Sequence, residues 1–117
     1  MAVSFTQFRA IALSLPGVEE RLCHGTPAFY VRGKIMARLQ EDGEHLSVAF
    51  PKAGREGLID AHPDVFSVTD HFLNYDYVLL DLTAANPAIA RARIEGAWRL
   101  KASQRAVAAL DAVQTRR

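Results

Sequence analysis

The sequence lacks the features that define several large classes of protein. Only one of its 117 residues is a cysteine, Cys23, so no intrachain disulfide can form and a disulfide-stabilised secreted domain is excluded. No apolar run approaches the ~20 residues that a membrane-spanning helix needs. The first residues, MAVSFTQFRA, lack the basic start and the apolar segment of a secretory signal. From these absences we expect a cytoplasmic protein.

The spacings typical of catalytic and metal sites are also missing. None of the histidines has a second histidine one helical turn away, and PKAGREGL matches neither the phosphate-loop nor the dinucleotide-binding pattern. The stretch DAHPDVFSVTDH mixes aspartates and histidines, but without ligand spacing a polar loop is the favoured interpretation. We therefore predict no enzymatic activity, no cofactor and no metal.

Cys23 and His24 are the only neighbouring thiol and imidazole. Covalent catalysis would need them within hydrogen-bonding reach of each other. Adjacent residues of an extended chain point to opposite sides, which argues against such a pair. We interpret this corner as the turn that enters a β-hairpin.

The composition suits one globular domain covering residues 1–117. Half of the residues are hydrophobic and 23% are charged. The charge is uneven: residues 51–82 carry two Lys/Arg against six Asp/Glu, whereas residues 83–117 carry seven against two. This asymmetry permits an anionic partner for the C-terminal part, although a solvated helical face is the favoured interpretation.

The hydrophobic pattern predicts an α+β domain with the order α-β-β-β-α-β-β-α-α. Ser4 and Gln7 form a capping box, which starts a first helix with one apolar face. Asn86-Pro87 opens another helix that runs to about Lys101, and Ser103 caps a last one. Further elements are a helix at 53–62 and strands at 28–32, 35–40, 46–50, 66–69 and 76–82. We expect an antiparallel sheet of about five strands with helices on one face.

The first hairpin should separate two sets of side chains. Alternation predicts a buried set consisting of Phe29, Val31, Ile35, Ala37 and Leu39. The outward set would then be Tyr30, Arg32, Lys34, Met36 and Arg38. Cations beside an aromatic ring suit phosphate contact and base stacking, although an ordinary solvated sheet face has the same composition.

The helix at 87–101 offers two further basic candidates near its end, Arg99 and Lys101. Arg91, Glu95 and Arg99 follow one another at four-residue steps, which also suits ion pairs on a solvent-facing stripe. Ile94 and Trp98 form a similar step that we interpret as core.

Several motifs together resemble the MmcQ/YjbR-like family. They are SLPGVEE (14–20), HGTPAFYVRGKIMARL (24–39), YDYVLLDL (75–82) and EGAWRLKASQRAVAAL (95–110). An aromatic residue near the start of the later strand, often Trp in relatives, is Tyr77 here. The resemblance implies a CyaY-like fold and DNA binding, but no catalytic residues. The basic hairpin residues Arg32, Lys34 and Arg38 match that of the family.

We therefore predict a cytoplasmic, non-enzymatic protein that contacts DNA phosphates. The expected binding residues are Tyr30, Arg32, Lys34 and Arg38, with Arg99 and Lys101 as weaker members. The alternative is a module that binds a protein or a small ligand on the sheet face or at the Cys23-His24 corner, without nucleic-acid activity.

Overall fold

The first helix, α1 (Phe5–Leu13), begins with the predicted capping box. The Ser4 hydroxyl accepts a hydrogen bond of 3.0 Å from the Gln7 amide, and the Gln7 side chain accepts one of 2.9 Å from the Ser4 amide. Phe8 and Ala12 are fully buried, which confirms the predicted apolar face. The computed structural model describes residues 2–115.

Six strands form one antiparallel sheet in the order β1-β2-β3-β4-β6-β5. They are β1 (Glu19–Cys23), β2 (Thr26–Val31), β3 (Lys34–Leu39), β4 (His45–Ala49), β5 (Phe66–Ser67) and β6 (Tyr77–Asp81). The edge strand β1 adds to the five predicted strands. Its sequence, EERLC, has no apolar alternation because neither face of it is fully buried.

Met36 lies on the opposite side of the hairpin from its predicted position. The register of β2 and β3 shifts so that Phe29 pairs with Ala37 while Tyr30 pairs with Ile35, which leaves Met36 as the extra residue of a bulge. Met36 is fully buried in the core, and Ile35 shares a face with Tyr30. The prediction that Met36 faces outward and Ile35 inward is wrong, because strict alternation cannot register an inserted residue.

Three more α-helices and one short 3₁₀ helix (Asp70–Phe72) complete the described chain. The α-helices are α2 (Lys52–Ala61), α3 (Pro87–Lys101) and α4 (Gln104–Thr115). Helix α3 packs on β3 and β4, and α1 packs against α3. The Asn86 side chain caps α3 as predicted, and Ser103 accepts from the Ala106 amide at the start of α4. Among residues 2–115, no helix is both long and apolar enough to cross a bilayer.

The predicted core positions of α3 are confirmed. Ile94 and Trp98 are fully buried, and the Trp98 indole donates a 2.8 Å hydrogen bond to the Pro16 carbonyl. On α4, Ala106 and Leu110 pack against the core, but Val113 is 53% exposed. The expected apolar side of α4 therefore ends one turn early.

Candidate nucleic-acid interface

The antiparallel sheet has two ends that differ in charge, although Glu19 and Asp76 also lie at the more basic of them. One end holds the β2–β3 turn, the last residues of β4 and the first of β6, together with the end of α3. We call this the basic end and define it by Arg32, Lys34, Lys52 and Lys101. The other end holds the β1–β2 and β3–β4 turns and the last residue of β6. We call it the acidic end and define it by Glu41, Asp42, Glu44 and Asp81.

Arg32 and Lys34 project from a tight two-residue turn. Arg32 (φ 54°) and Gly33 (φ 74°) both adopt the left-handed conformation that a twisted hairpin requires. Both cations are exposed, and neither forms an ion pair or side-chain hydrogen bond with any residue in 2–115. Their charges are consequently available to an external anion.

Antiparallel strand pairing brings further residues to the same end of the sheet as this turn. Strands β3 and β4 are antiparallel, so the start of β3, where Lys34 lies, and the end of β4 are at the same end of the sheet. The β4–β6 ladder is followed by a 2.9 Å hydrogen bond from the Phe50 amide to the Asp76 carbonyl, so the loop that carries Tyr75 also reaches this end. With strands about 4.8 Å apart, β3 and β6 are separated by about 10 Å.

Lys52 and Lys101 add two cations at the same end of the sheet. The ammonium of Lys52 donates a 3.3 Å hydrogen bond to the Asn74 carbonyl, while Leu100 and Lys101 line one small cleft with Pro51 and Asp76. The Asp76 carboxylate lies here too and accepts a 2.9 Å hydrogen bond from the Lys52 amide at the start of α2. The sequence analysis included Lys101 but missed Lys52, whose neighbours come from a distant segment.

A buried arginine shapes the loop that carries Tyr75. Arg55 is 7% exposed, and its guanidinium donates four hydrogen bonds of 2.7 to 3.1 Å to the carbonyls of Phe72, Leu73, Tyr75 and Tyr77. The Tyr75 side chain is left 59% exposed. Sequence reasoning missed both residues, because a basic residue in a helix and a tyrosine in a loop have no local signature.

Tyr30 and Arg38 lie on the face of the sheet opposite to the helices, which we call the open face. Tyr30 pairs with Ile35 close to the β2–β3 turn, whereas Arg38 pairs with Ala28 nearer the acidic end. The Arg38 side chain is 13% exposed; it donates to the Cys23 carbonyl (2.9 Å) and pairs with Glu41 (2.8 Å). The Arg21 guanidinium lies 5.4 Å from the centre of the Tyr30 ring. A hydrogen bond with Cys23 raises the pKa of the Tyr30 phenol. Arg38 is therefore held by partners within the protein, unlike the hairpin cations Arg32 and Lys34.

Arg99 is held within the helical layer. It pairs with Glu95 at 3.4 Å and with Asp111 of α4 at 2.8 Å, and the hydrogen bond to Asp111 raises the pKa of Arg99. The Glu95–Arg99 step of the predicted stripe is present, whereas Arg91 pairs with no carboxylate in the described chain. Arg99 thus fastens α4 to α3.

Hydrogen bonds favour the charged form of three carboxylates of the acidic end, those of Glu41, Asp42 and Asp81. Asp42 accepts from the amides of Glu44 (2.8 Å) and His45 (3.0 Å), which lowers its pKa. The Thr83 hydroxyl and amide likewise lower the pKa of Asp81. Arg38 lowers the pKa of Glu41 by hydrogen bonding to it. This end stays anionic well below neutral pH.

A cleft of about 560 Å³ opens on the open face near the acidic end. Its polar lining includes Arg38, Gln40, His45, Ser67, Thr69 and His71. No hydroxyl or thiol in the described chain hydrogen-bonds to a histidine ring, and no group of three or more His, Cys, Asp or Glu within residues 2–115 is placed to hold a metal ion. The polar side chains that line the cleft are arranged to form hydrogen bonds with a small polar molecule.

The Cys23-His24 corner is the turn that the sequence predicts. Cys23 pairs with Thr26 across β1 and β2, and His24 (φ 51°) and Gly25 (φ 84°) form a two-residue left-handed turn. His24 is exposed, while the thiol of Cys23 is half-buried beside Tyr30. His24 therefore lies in the turn itself, whereas Cys23 lies at the end of β1 and pairs with β2.

Together, the fold and these surfaces define a class: small α+β domains in which one antiparallel sheet carries helices on one face. The YjbR family model matches residues 13–100. The chain belongs to the YjbR family, which confirms the resemblance seen in its motifs.

One solved structure shares this fold. It is the crystal structure of Deinococcus radiodurans protein DR2400, a DUF419-domain protein, which is similar over 85% of this chain and 78% of its own, with a TM-score of 0.70 and 21% identity. At that identity the similarity supports the fold alone. No curated protein matches the chain.

Proposed function

We propose that this protein is a non-enzymatic, cytoplasmic DNA-binding protein that contacts the phosphate backbone through its basic end. One observation carries the proposal: four cations from separate elements lie at one end of the sheet. Arg32 and Lys34 come from a hairpin turn, and Lys52 and Lys101 come from two helices. Cations from separate elements that meet on one surface suit a polyanion better than isolated solvated charges do.

The acidic end supports this proposal because it would orient the molecule relative to DNA. Its carboxylates lie at the far end of the same strands, so a polyanion repels that end and attracts the other. Phosphate contacts position a protein without reading bases, and no helix of the basic end projects as a groove-reading element. We therefore expect weak sequence preference.

Salt dependence of duplex binding tests the proposal. If the cations of the basic end all contact phosphates, affinity should fall by about 100-fold between 50 and 200 mM salt, and Lys34→Ala should reduce the log–log slope by about 0.9. Arg91→Ala is the matched control, since Arg91 is an exposed cation on the opposite half of α3, next to Gln7 and Ala10 of α1. Salt-independent binding, or none at low salt, would contradict the proposal.

Small-ligand binding in the open-face cleft is the second candidate function. It is favoured by the side chains of Gln40 and Ser47, which are hydrogen-bonded to each other at 3.1 Å and so preorganised beside Arg38. A thermal-shift screen of small polar metabolites should then find a ligand whose stabilisation disappears in Ser67→Trp, which fills the cleft. An equal shift in that variant would exclude the cleft as the site.

A further inference from the structure

We infer that the basic end binds single-stranded DNA and that Tyr75 stacks on one of its unpaired bases. This inference rests on the proposed function and adds the form of DNA that is bound. It starts from Tyr75, a large aromatic side chain that is 59% exposed and that follows Asn74, whose carbonyl accepts a hydrogen bond from Lys52. Exposed aromatic rings interleaved with cations form the platforms that hold single strands.

The Tyr75 loop is held in shape before any ligand arrives. Arg55 binds four of its carbonyls, the Tyr75 amide donates a 3.0 Å hydrogen bond to the Phe72 carbonyl, and the Tyr77 amide donates one of 2.9 Å to that of Tyr75. The Tyr75 ring lies 6.4 Å from the His71 ring, centre to centre. A fixed backbone lowers the entropic cost of stacking a base on this side chain.

The neighbours of Tyr75 fit a nucleotide. The ammonium of Lys52 donates a 3.3 Å hydrogen bond to the carbonyl of Asn74, the residue before Tyr75. Lys34 begins β3, and β3 is about 10 Å from β6, two strand spacings away. Leu73 and Leu100, each 51% exposed, add apolar surface. A base on Tyr75 would thus have Lys52 next to the same loop, and the other cations at this end of the sheet, for its flanking phosphates.

A duplex cannot use this arrangement. Its bases are paired and stacked inside, so only their edges are reachable in the grooves. An unpaired base presents its face, and stacking on an aromatic side chain changes affinity by about 5- to 100-fold. The exposure of Tyr75 at the basic end therefore favours a single strand over a duplex.

Fluorescence anisotropy at low salt tests the inference. The probes are a single-stranded DNA of about 12 nucleotides, its duplex and the RNA of the same sequence. We expect the wild type to bind the single strand at least about 5-fold more tightly than the duplex, and Tyr75→Ala to lose about 10-fold on the single strand alone. Tyr75→Phe should keep the affinity. Tighter duplex binding, or an unchanged Tyr75→Ala, would overturn the inference, and tighter RNA binding would overturn its assignment to DNA.

Two controls separate this test from that of the proposed function. Leu22→Ala removes an apolar side chain that is 74% exposed on the edge strand β1, and should leave affinity unchanged. Lys34→Ala should weaken both DNA forms. If Lys34→Ala weakens binding and Tyr75→Ala does not, stacking is wrong and phosphate binding stands. If salt-dependent binding is absent for every probe, both fail.

Discussion

Arg55 donates a 2.7 Å hydrogen bond through its Nη2 to the carbonyl of Leu73, eighteen residues further along the chain. Its Nη1 donates to three more carbonyls of the same loop, and no carboxylate forms a salt bridge with it within residues 2–115. A buried cation balanced by peptide dipoles has a structural purpose: it fixes the loop that presents Tyr75 at the basic end.

Arg55→Met should destabilise the protein by on the order of 3 kcal/mol, because several loop carbonyls lose their donor in a buried setting. Urea unfolding followed by circular dichroism measures the change. Arg91→Met, at an exposed arginine, is the matched control and should stay within about 0.5 kcal/mol of the wild type. Equal unfolding midpoints for Arg55→Met and the wild type would refute the structural role.

Arg32→Asn should raise stability while weakening DNA binding. Arg32 has φ 54°, a conformation that costs an ordinary side chain about 1 kcal/mol, and Asn-Gly is the preferred pair for this turn. We expect a gain of about 0.5 kcal/mol in the free energy of unfolding and a salt slope for duplex DNA lower by about 0.9. If stability rises and the slope is unchanged, Arg32 does not contact phosphate.

Arg38→Gln should have the opposite pattern. Its guanidinium is held by the Cys23 carbonyl and by Glu41, near the acidic end, so DNA affinity and salt slope should not change. Loss of the largely buried hydrogen bond to Cys23 should cost about 1 kcal/mol in unfolding experiments. A reduced salt slope would return Arg38 to the binding surface, as the sequence alone suggested.

Acid should weaken the fold partly through Asp42. Its pKa in the folded protein is lowered by the amides of Glu44 and His45, so its contribution is present above the unfolded-state pKa of about 3.9 and is lost as pH falls through the folded value. Asp42→Asn should therefore lose less stability than the wild type between about pH 5 and pH 3. Urea midpoints across that range measure this difference.

Asp60→Asn is the control for that series. Asp60 is exposed on α2 and its carboxylate makes no hydrogen bond or salt bridge with the described residues, so this variant should follow the wild-type curve. Parallel curves for Asp42→Asn and the wild type would show that the hydrogen bonds of the β3–β4 turn do not contribute to acid stability.

Local sequence signals predicted much of this fold. The capping box at Ser4, the Asn86-Pro87 helix start and the Gly33 turn all hold in the structure, since each depends on residues within a few positions of one another. Apolar spacing located the buried faces of α1 and α3 for the same reason. The family motifs were likewise readable from the chain, and the YjbR match over residues 13–100 confirms the family that they indicated.

Tertiary structure decided the candidate site. The bulge at Met36 depends on how β2 pairs with β3, and alternation along one strand carries no information about its partner. Lys52 and Tyr75 lie at the same sheet end as the predicted Lys34 and Lys101 only because antiparallel pairing brings distant segments together there. Arg38 and Arg99 were already engaged by partners from other elements. Sequence alone determined which cations the chain carries, whereas packing determined which of them remain free to meet an anion.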